Sequence, residues 1–419
     1  MTAETPPIDA PTLRALLREG AYVRLWSSRL LGNLATQVES IALAWQVYAM
    51  ARLGGSTPAQ GAFAVGMIGL AQFLPMFVLA LLAGETADRH NRCLIMACCM
   101  AVELMSAGVF CILVLTGSNA LWPIYLIAVA FGAARAFYSP AAAALGPTLV
   151  PRYLLPRAIA MNSLSWQLAS VVGPAIGGLL VAGSAAVAFG GAAVMFAISF
   201  ALLFTFASPA QAWAQGTSRV AQIKEGLVYL WTNKFVLGAI SLDLFAVLLG
   251  GATALLPVYA RDVLNVGSQG FGILRASPAI GGVVLALWLG ARPIKRHAGI
   301  KMFLGVAGFG MATIVFAVSK SLVLSVVALA LLGACDMISV FVRQSLIQLA
   351  TPNEMRGRVG AVSYLFIGAS NELGEFESGV VARFLGPVGA CLFGGIGSLA
   401  VTGLWAGIFP SLRKADRIQ

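Results

Sequence analysis

The chain has 419 residues, of which 59% are hydrophobic and only 10% charged. Ordinary soluble proteins carry roughly 25% charged residues, so a water-soluble globule of this size is excluded, as is a disordered chain. The net charge of +11 could point to nucleic acid, but its distribution along the chain fits a membrane protein with basic loops on one face.

A mean hydropathy of +0.88 supports that class. Six Cys, all in apolar runs, are too few for a secreted disulfide scaffold. Met1 to Gly20 is polar, so no cleavable signal peptide is expected there. One crossing takes about 20 apolar residues, which makes about twelve crossings affordable.

The apolar runs fall at 23–49, 61–83, 93–116, 121–145, 158–182, 186–207, 235–260, 267–290, 300–318, 321–345, 358–381 and 387–409. The expected fold class is therefore an all-α membrane protein with twelve transmembrane helices in two pseudo-symmetric six-helix bundles. An arm, 1–22, precedes the first bundle, 23–207. The polar stretch 208–234 links it to the second bundle, 235–409, and a basic tail, 410–419, follows. Segments 11–20 and 217–232 read as short amphipathic helices on the membrane face.

Charge inside an apolar span is costly and marks candidate functional positions. Span one carries Arg29, Asn33, Gln37 and Glu39. The loop after span two reads Gly84-Glu-Thr-Ala-Asp88-Arg89-His-Asn-Arg92. Span three carries Glu103 and span four Arg135. Span five contains Gly173-Pro174-Ala-Ile-Gly177-Gly178. Span seven carries Asp243, span eight Arg275, span ten Asp336 and Arg343, and span eleven Glu372, Glu375 and Glu377.

With the N-terminus placed in the cytoplasm, eighteen Lys and Arg fall on that side and four on the other. This asymmetry predicts that both termini are cytoplasmic. An offset of 201 residues superposes Gly132, Gly173 and Gly178 on Gly333, Gly374 and Gly379. Parallel six-helix repeats with a site between them are a transporter architecture. The same offset sets Arg135 on Asp336 and Pro174 on Glu375, so the halves differ in charge.

The 84–92 loop resembles the signature Gly-x-x-x-Asp-Arg-x-x-Arg of the major facilitator superfamily, in the position that family uses. There the acid serves as an anion at the start of span eleven. Gly84 is expected at a tight turn, and Arg89 and Arg92 should hold the loop inside. The span-five run is similar to the Gly-Pro-x-x-Gly-Gly core of the superfamily's antiporters, although the usual upstream Gly is here Ala169. The drug-antiporter Arg before a Gln-Gly pair in span four is missing. Tyr22-Val-Arg24-Leu-Trp26, the run from Leu149-Val-Pro151 to Asn162, and Lys224-Glu-Gly226-Leu are similar to the branch containing the bacterial enterobactin exporter, the transmembrane secretion effectors.

By that resemblance, spans one, four, seven and ten line a central cavity. Arg29, Asn33, Gln37, Arg135, Arg275 and Asp336 are then cargo-binding candidates. Glu39, Asp243, Asp336, Glu372 and Glu375 are proton-coupling candidates. Depth arithmetic at about 1.5 Å per residue matches Arg135 with Glu39 and Arg275 with Glu372 and Glu375. It also sets Asp243 and Asp336 at similar depth. At about 100° per residue Glu372 and Glu375 share a face, whereas Glu377 points away from it and is expected at the rim.

No phosphate-binding loop and no His-Glu-x-x-His is present, and the chain has only two His. No cofactor and no metal are expected. The expected function is secondary active export of a small organic molecule, siderophore-like or drug-like, by alternating access with proton antiport. Rival readings are import of a small solute, or a polytopic enzyme or sensor. The expected partners are that molecule, protons and the lipid bilayer, with no nucleic acid. A monomer in the inner membrane of a bacterium is the expected state.

Overall fold

The computed structural model describes residues 13–118, 120–206, 219–292, 294, 296–352 and 355–416. Most of the arm, the first part of the polar linker and the last residues of the tail lie outside the described residues. The rest is almost entirely helical.

Helix α1 (Leu13–Arg18) is a short turn whose Leu16 is buried. Helix α2 (Gly20–Leu53) follows, then α3 (Pro58–Arg89) and α4 (Arg92–Leu115). The start of α3 is set by its sequence. Thr57 Oγ accepts from Gln60 N, Gln60 Oε1 accepts from Thr57 N, and Pro58 occupies the first helical position. Asn91 caps α4 by accepting from the amides of Cys93 and Leu94. Helices α5 (Trp122–Leu145), α6 (Leu155–Gly183) and α7 (Ala185–Leu203) complete the first half.

The linker ends in α8 (Arg219–Thr232), docked on the second half. Tyr229 donates to Ala350 O, and Glu225 pairs with Arg358. Helix α9 (Lys234–Leu249) stops at Gly250–Gly251. A 3₁₀ turn (Ala252–Leu255), the short α10 (Leu256–Val258) and a π-helical turn (Tyr259–Val263) carry the chain onward. The predicted unbroken span 235–260 is corrected here: Gly251 lies against Gly374 O, where any side chain would collide. Helices α11 (Gly267–Ala291), α12 (Ala298–Val318), α13 (Leu322–Ala350), α14 (Arg356–Ile408) and the short α15 (Pro410–Arg413) finish the chain.

Ten helices among the described residues are long and apolar enough to cross a membrane. Helix α2 is not one of them, because Asn33, Gln37, Glu39 and Gln46 lower the hydropathy of its middle. Helix α14 has 53 residues, so it would be about 80 Å long if straight, against a hydrocarbon core of about 30 Å. Gly386 (φ 74°), followed by Pro387, turns it back on itself. The exterior carries Leu115, Leu287, Val323 and Phe384, each more than 70% exposed. Such an apolar belt belongs to a multi-pass membrane protein.

Three glycine pairs related by the 201-residue offset sit in matching contacts. Gly132 of α5 lies on the Gln72 backbone of α3, and Gly333 of α13 lies on the Pro278 backbone of α11. Gly173 of α6 meets Gln37 of α2, and Gly374 of α14 meets Val247 and Leu248 of α9. Gly178 of α6 touches Gly272 of α11, and Gly379 of α14 touches Gly66 of α3. Small residues permit this close backbone approach.

The expected Gly84 turn is corrected as well. Helix α3 runs on to Arg89, so Gly84 is buried within it, and the chain reverses only at His90–Asn91. Arg89 pairs with Glu85 at 2.6 Å. Arg92 donates to Ala87 O and Ala144 O, which ties the turn to α5. Asp88 is half-buried in the same turn of helix.

Candidate functional site

A cavity of about 470 Å³ opens between α2, α3, α5 and α6 on one side and α9, α11, α13 and α14 on the other. The break after α9 forms part of its wall through Gly250, Gly251 and Thr253. Irregular backbone at membrane depth is tolerated where it lines such a space. Polar side chains converge from both sides: Gln37, Gln72, Arg135 and Gln167 face Arg275, Asp336, Asn371, Glu372 and Glu375, with Trp166 and Phe271 beside them.

Two ion pairs line it, and the first of them crosses from one side to the other. Arg135 Nη1 lies 3.4 Å from Glu372 Oε1, joining α5 to α14. Arg275 Nη2 lies 3.4 Å from Glu375 Oε1, which also accepts from Thr253 Oγ1 at 3.5 Å. The four charged groups are half-buried, with the cavity in front of them. The Arg135 guanidinium also rests 6.0 Å from the centroid of Phe131. A guanidinium held this loosely keeps donors free for a ligand oxygen.

The remaining sequence candidates lie elsewhere. The expected Arg135–Glu39 pair does not form. Glu39 is 2% exposed, and neither of its oxygens has a hydrogen-bond partner. It points into the α2–α7 side of the molecule, away from the cavity, because Gln37 already faces the cavity and two residues turn a helix by about 200°. Arg29 reaches Ala142 O at 3.5 Å, and Asn33 is not among the cavity residues. Asp243 is buried against Arg343 at 3.0 Å, between α9 and α13, and only Asp336 of the two aspartates reaches the cavity. Glu377 is half-buried outside the lining and accepts from Ser378 Oγ. Gly173, Pro174, Gly177 and Gly178 are buried where α6 packs on α2 and α11.

Sequence reading passed over Gln72, Trp166, Gln167, Thr253 and Asn371, which line the cavity. Asn and Gln bear no charge, so a search for charge inside apolar runs does not register them. Asn371 had one available signal, its place one residue before Glu372 in span eleven.

The end of the molecule away from α1 and α15 is sealed across the cavity. Tyr48 Oη donates to Asp262, and Arg52 Nε lies 3.5 Å from the same carboxylate. Trp45 stacks on Phe271 with centroids 5.9 Å apart. Arg383 lies 5.0 Å over the Phe63 ring. The Gly178–Gly272 and Gly66–Gly379 contacts lie at the same end.

The family described as transmembrane secretion effector matches residues 12–418. The enterobactin exporter EntS of Shigella boydii serotype 18 is 26% identical over 347 residues, covering 81% of this chain and 82% of that protein. The enterobactin exporter EntS of Escherichia coli O1:K1 shows the same identity and coverage. Among solved structures, the peptide-family transporter PepTSo superposes with a TM-score of 0.75 at 12% identity, over 95% of this chain and 99% of that one. A bacterial homologue of the human lysosomal transporter Spinster, inward-facing and unoccupied, gives 0.70 at 13% identity, over 94% and 96%. A D-xylose-proton symporter gives 0.67 at 14% identity, over 93% and 97%. At these identities the solved structures bear on the fold alone.

Proposed function

Since the chain belongs to the transmembrane secretion effector family of the major facilitator superfamily and is a transporter rather than an enzyme, we propose that it exports a small, oxygen-rich organic anion or zwitterion from a bacterial cytoplasm. Export runs by alternating access and is driven by protons. The cavity carries this reading: it sets Arg135 of one half and Arg275 of the other among neutral amides, with aromatic faces beside them. Arg135 and Arg275 are the cargo contacts, with Gln37 and Asp336 beside them. Glu372 and Glu375 hold the two guanidinium groups until cargo oxygens replace them.

In this reading twelve helices form two six-helix bundles, 23–207 and 235–409, with α14 counted as two crossings. The three matched glycine pairs support it. Both termini face the cytoplasm of the inner membrane, in keeping with the eighteen-to-four excess of Lys and Arg. The sealed end is then periplasmic, and the protein works as a monomer. Asp88, Arg89 and Arg92 steady the cytoplasmic turn between α3 and α4 during rocking and do not touch cargo. Gly173, Pro174, Gly177 and Gly178 keep α6 close to α2 and α11.

Everted vesicles provide the test, with enterobactin as the first probe because the relatives are named as its exporters. Uptake into vesicles should need the chain and should fall when the pH gradient is collapsed. Gradient-independent uptake would overturn proton drive. No uptake of enterobactin or of any other siderophore or amphiphilic drug supplied would overturn export.

A further inference from the structure

The first half contains a polar cluster that the cavity does not use. Glu39 of α2 and Glu103 of α4 are each 2% exposed. Both Glu39 oxygens and Glu103 Oε2 are buried with no hydrogen-bond partner. The Tyr138 hydroxyl of α5 is equally buried and equally unpartnered. Helices α2 and α4 meet at Gly32 and Met100, where Ser199 of α7 bonds both Ser28 and the Met100 sulfur. Glu39 lies seven residues beyond Gly32 and Glu103 three beyond Met100, so the two carboxyls sit within about 6 Å of each other along the bundle. They lie within electrostatic reach of each other, and Glu103 is within reach of Arg135.

The groups around the pair can be named. Arg135 and Tyr138 face it from α5, and Cys99 flanks Glu103 on α4. Arg29 of α2 reaches Tyr138. Helix α7 contributes no titratable residue, and α3 and α6 carry theirs only near their termini-side ends. Among the described residues the positive charge that acts on Glu103 is Arg135, and in this structure Arg135 is turned to Glu372.

We propose that Glu39 and Glu103 form a buried acid pair that takes up and releases the coupling proton, with Arg135 as its switch. The pair holds its proton while Arg135 is engaged with Glu372 across the cavity. When the halves separate and Arg135 is released by both Glu372 and cargo, it turns back to the pair. Its charge then stabilises the Glu103 carboxylate, and the proton leaves to water. Only an O–H bond breaks and re-forms, so no redox partner is needed. A buried carboxylate without a donor is expensive, whereas a carboxylic acid in the same place is not. This assignment deepens the proton-driven reading and depends on it for its physiological use.

Infrared difference spectroscopy of the purified full-length protein in lipid, titrated with acid and base, reads the site without any cargo. A protonated-carboxyl band should titrate in the parent protein and be lost in both Glu39→Gln and Glu103→Gln. In Arg135→Gln the band should persist, with its midpoint moved upward by about one pH unit or more. An unchanged band in both glutamine variants would overturn the site. An unmoved midpoint in Arg135→Gln would overturn the switch even if a glutamine variant does not fold. Displacement of the band by sodium at fixed pH would make this a sodium site and overturn the proton assignment. The vesicle assay separates the two readings. Gradient-driven export that survives Glu39→Gln and Glu103→Gln sinks the site alone. Gradient-independent export from a protein whose band still titrates sinks proton drive alone.

Discussion

Single residues in this protein act through what they leave unpaired. Arg343 and Asp243 are 3% and 7% exposed at the side chain and 3.0 Å apart. Losing one partner strands the other charge in an apolar interior, so Asp243→Asn should cost about 3–5 kcal/mol. Replacing both, as Asp243→Leu with Arg343→Met, should restore most of that loss. Thermal unfolding in detergent measures both variants, and an equal cost for single and double variants would contradict the account. Arg135 calls for a different comparison. If its planar fork holds cargo oxygens, Arg135→Lys should weaken cargo binding about tenfold, about 1.4 kcal/mol, with the fold intact. Equilibrium binding of the vesicle-assay cargo checks this, and parental affinity in the Lys variant would reduce Arg135 to a strut for Glu372. The residue scale is also where the sequence was least legible. Depth and relative azimuth along a helix can be counted, but which face meets the cavity and which helix stands beside the other cannot. Glu39 has the depth to meet Arg135, yet it lies about 200° around α2 from Gln37 and so faces Glu103. Arg135 meets Glu372, whose distance in sequence gave no reason to pair them.

At the scale of helices, glycine positions govern how closely neighbours approach. This much was visible beforehand, because the 201-residue offset needs no gap and pairs glycines with glycines. What hydropathy missed is the break after α9. That run looks continuous in composition, but Gly250–Gly251 ends it where Gly251 lies against Gly374 O, and the turn that follows brings Thr253 beside Glu375. The break in the α14 run, by contrast, was legible: the sequence divides it into spans 358–381 and 387–409, and Gly386, with its positive φ, lies in the gap between them. The matched contacts make a paired expectation. Gly132→Val and Gly333→Val each drive a side chain into a neighbouring carbonyl, of Gln72 and of Pro278 respectively. Backbone cannot step aside as a flexible side chain can. Each variant should therefore lose at least about 1–3 kcal/mol, by similar amounts. Side-by-side thermal melts test it. One variant melting like the parent while the other collapses would show that the two halves do not use these glycines alike.

For the whole molecule the question is what keeps the sealed end shut. Besides the Trp45–Phe271 stack and the Arg383–Phe63 contact, two features cross there. The glycine approaches at Gly178–Gly272 and Gly66–Gly379 are apolar and non-directional. In membranes such packing contacts hold helices together without a strong hydrophobic drive, so they resist separation only modestly. The Tyr48–Asp262–Arg52 cluster is directional. One carboxylate accepts from the Tyr48 hydroxyl and faces Arg52 at 3.5 Å. It sits on the π-helical turn that follows the broken α9, while Tyr48 and Arg52 sit on α2. The same break that brings Thr253 to Glu375 thus also brings Asp262 to the seal, linking the cavity and the gate through one short segment. Removing the carboxylate leaves the glycine contacts intact but takes away the charged group that holds both Tyr48 and Arg52. Asp262→Ala should therefore keep its fold and shift the population toward a state open at this end. Spin labels at Ser56 and Gln269, measured by pulsed electron resonance, should show the longer-distance population increase in Asp262→Ala. Tyr48→Phe, which keeps Arg52, should give a smaller shift. An unchanged distance distribution in Asp262→Ala would mean that packing alone holds the seal and that the acid merely decorates it.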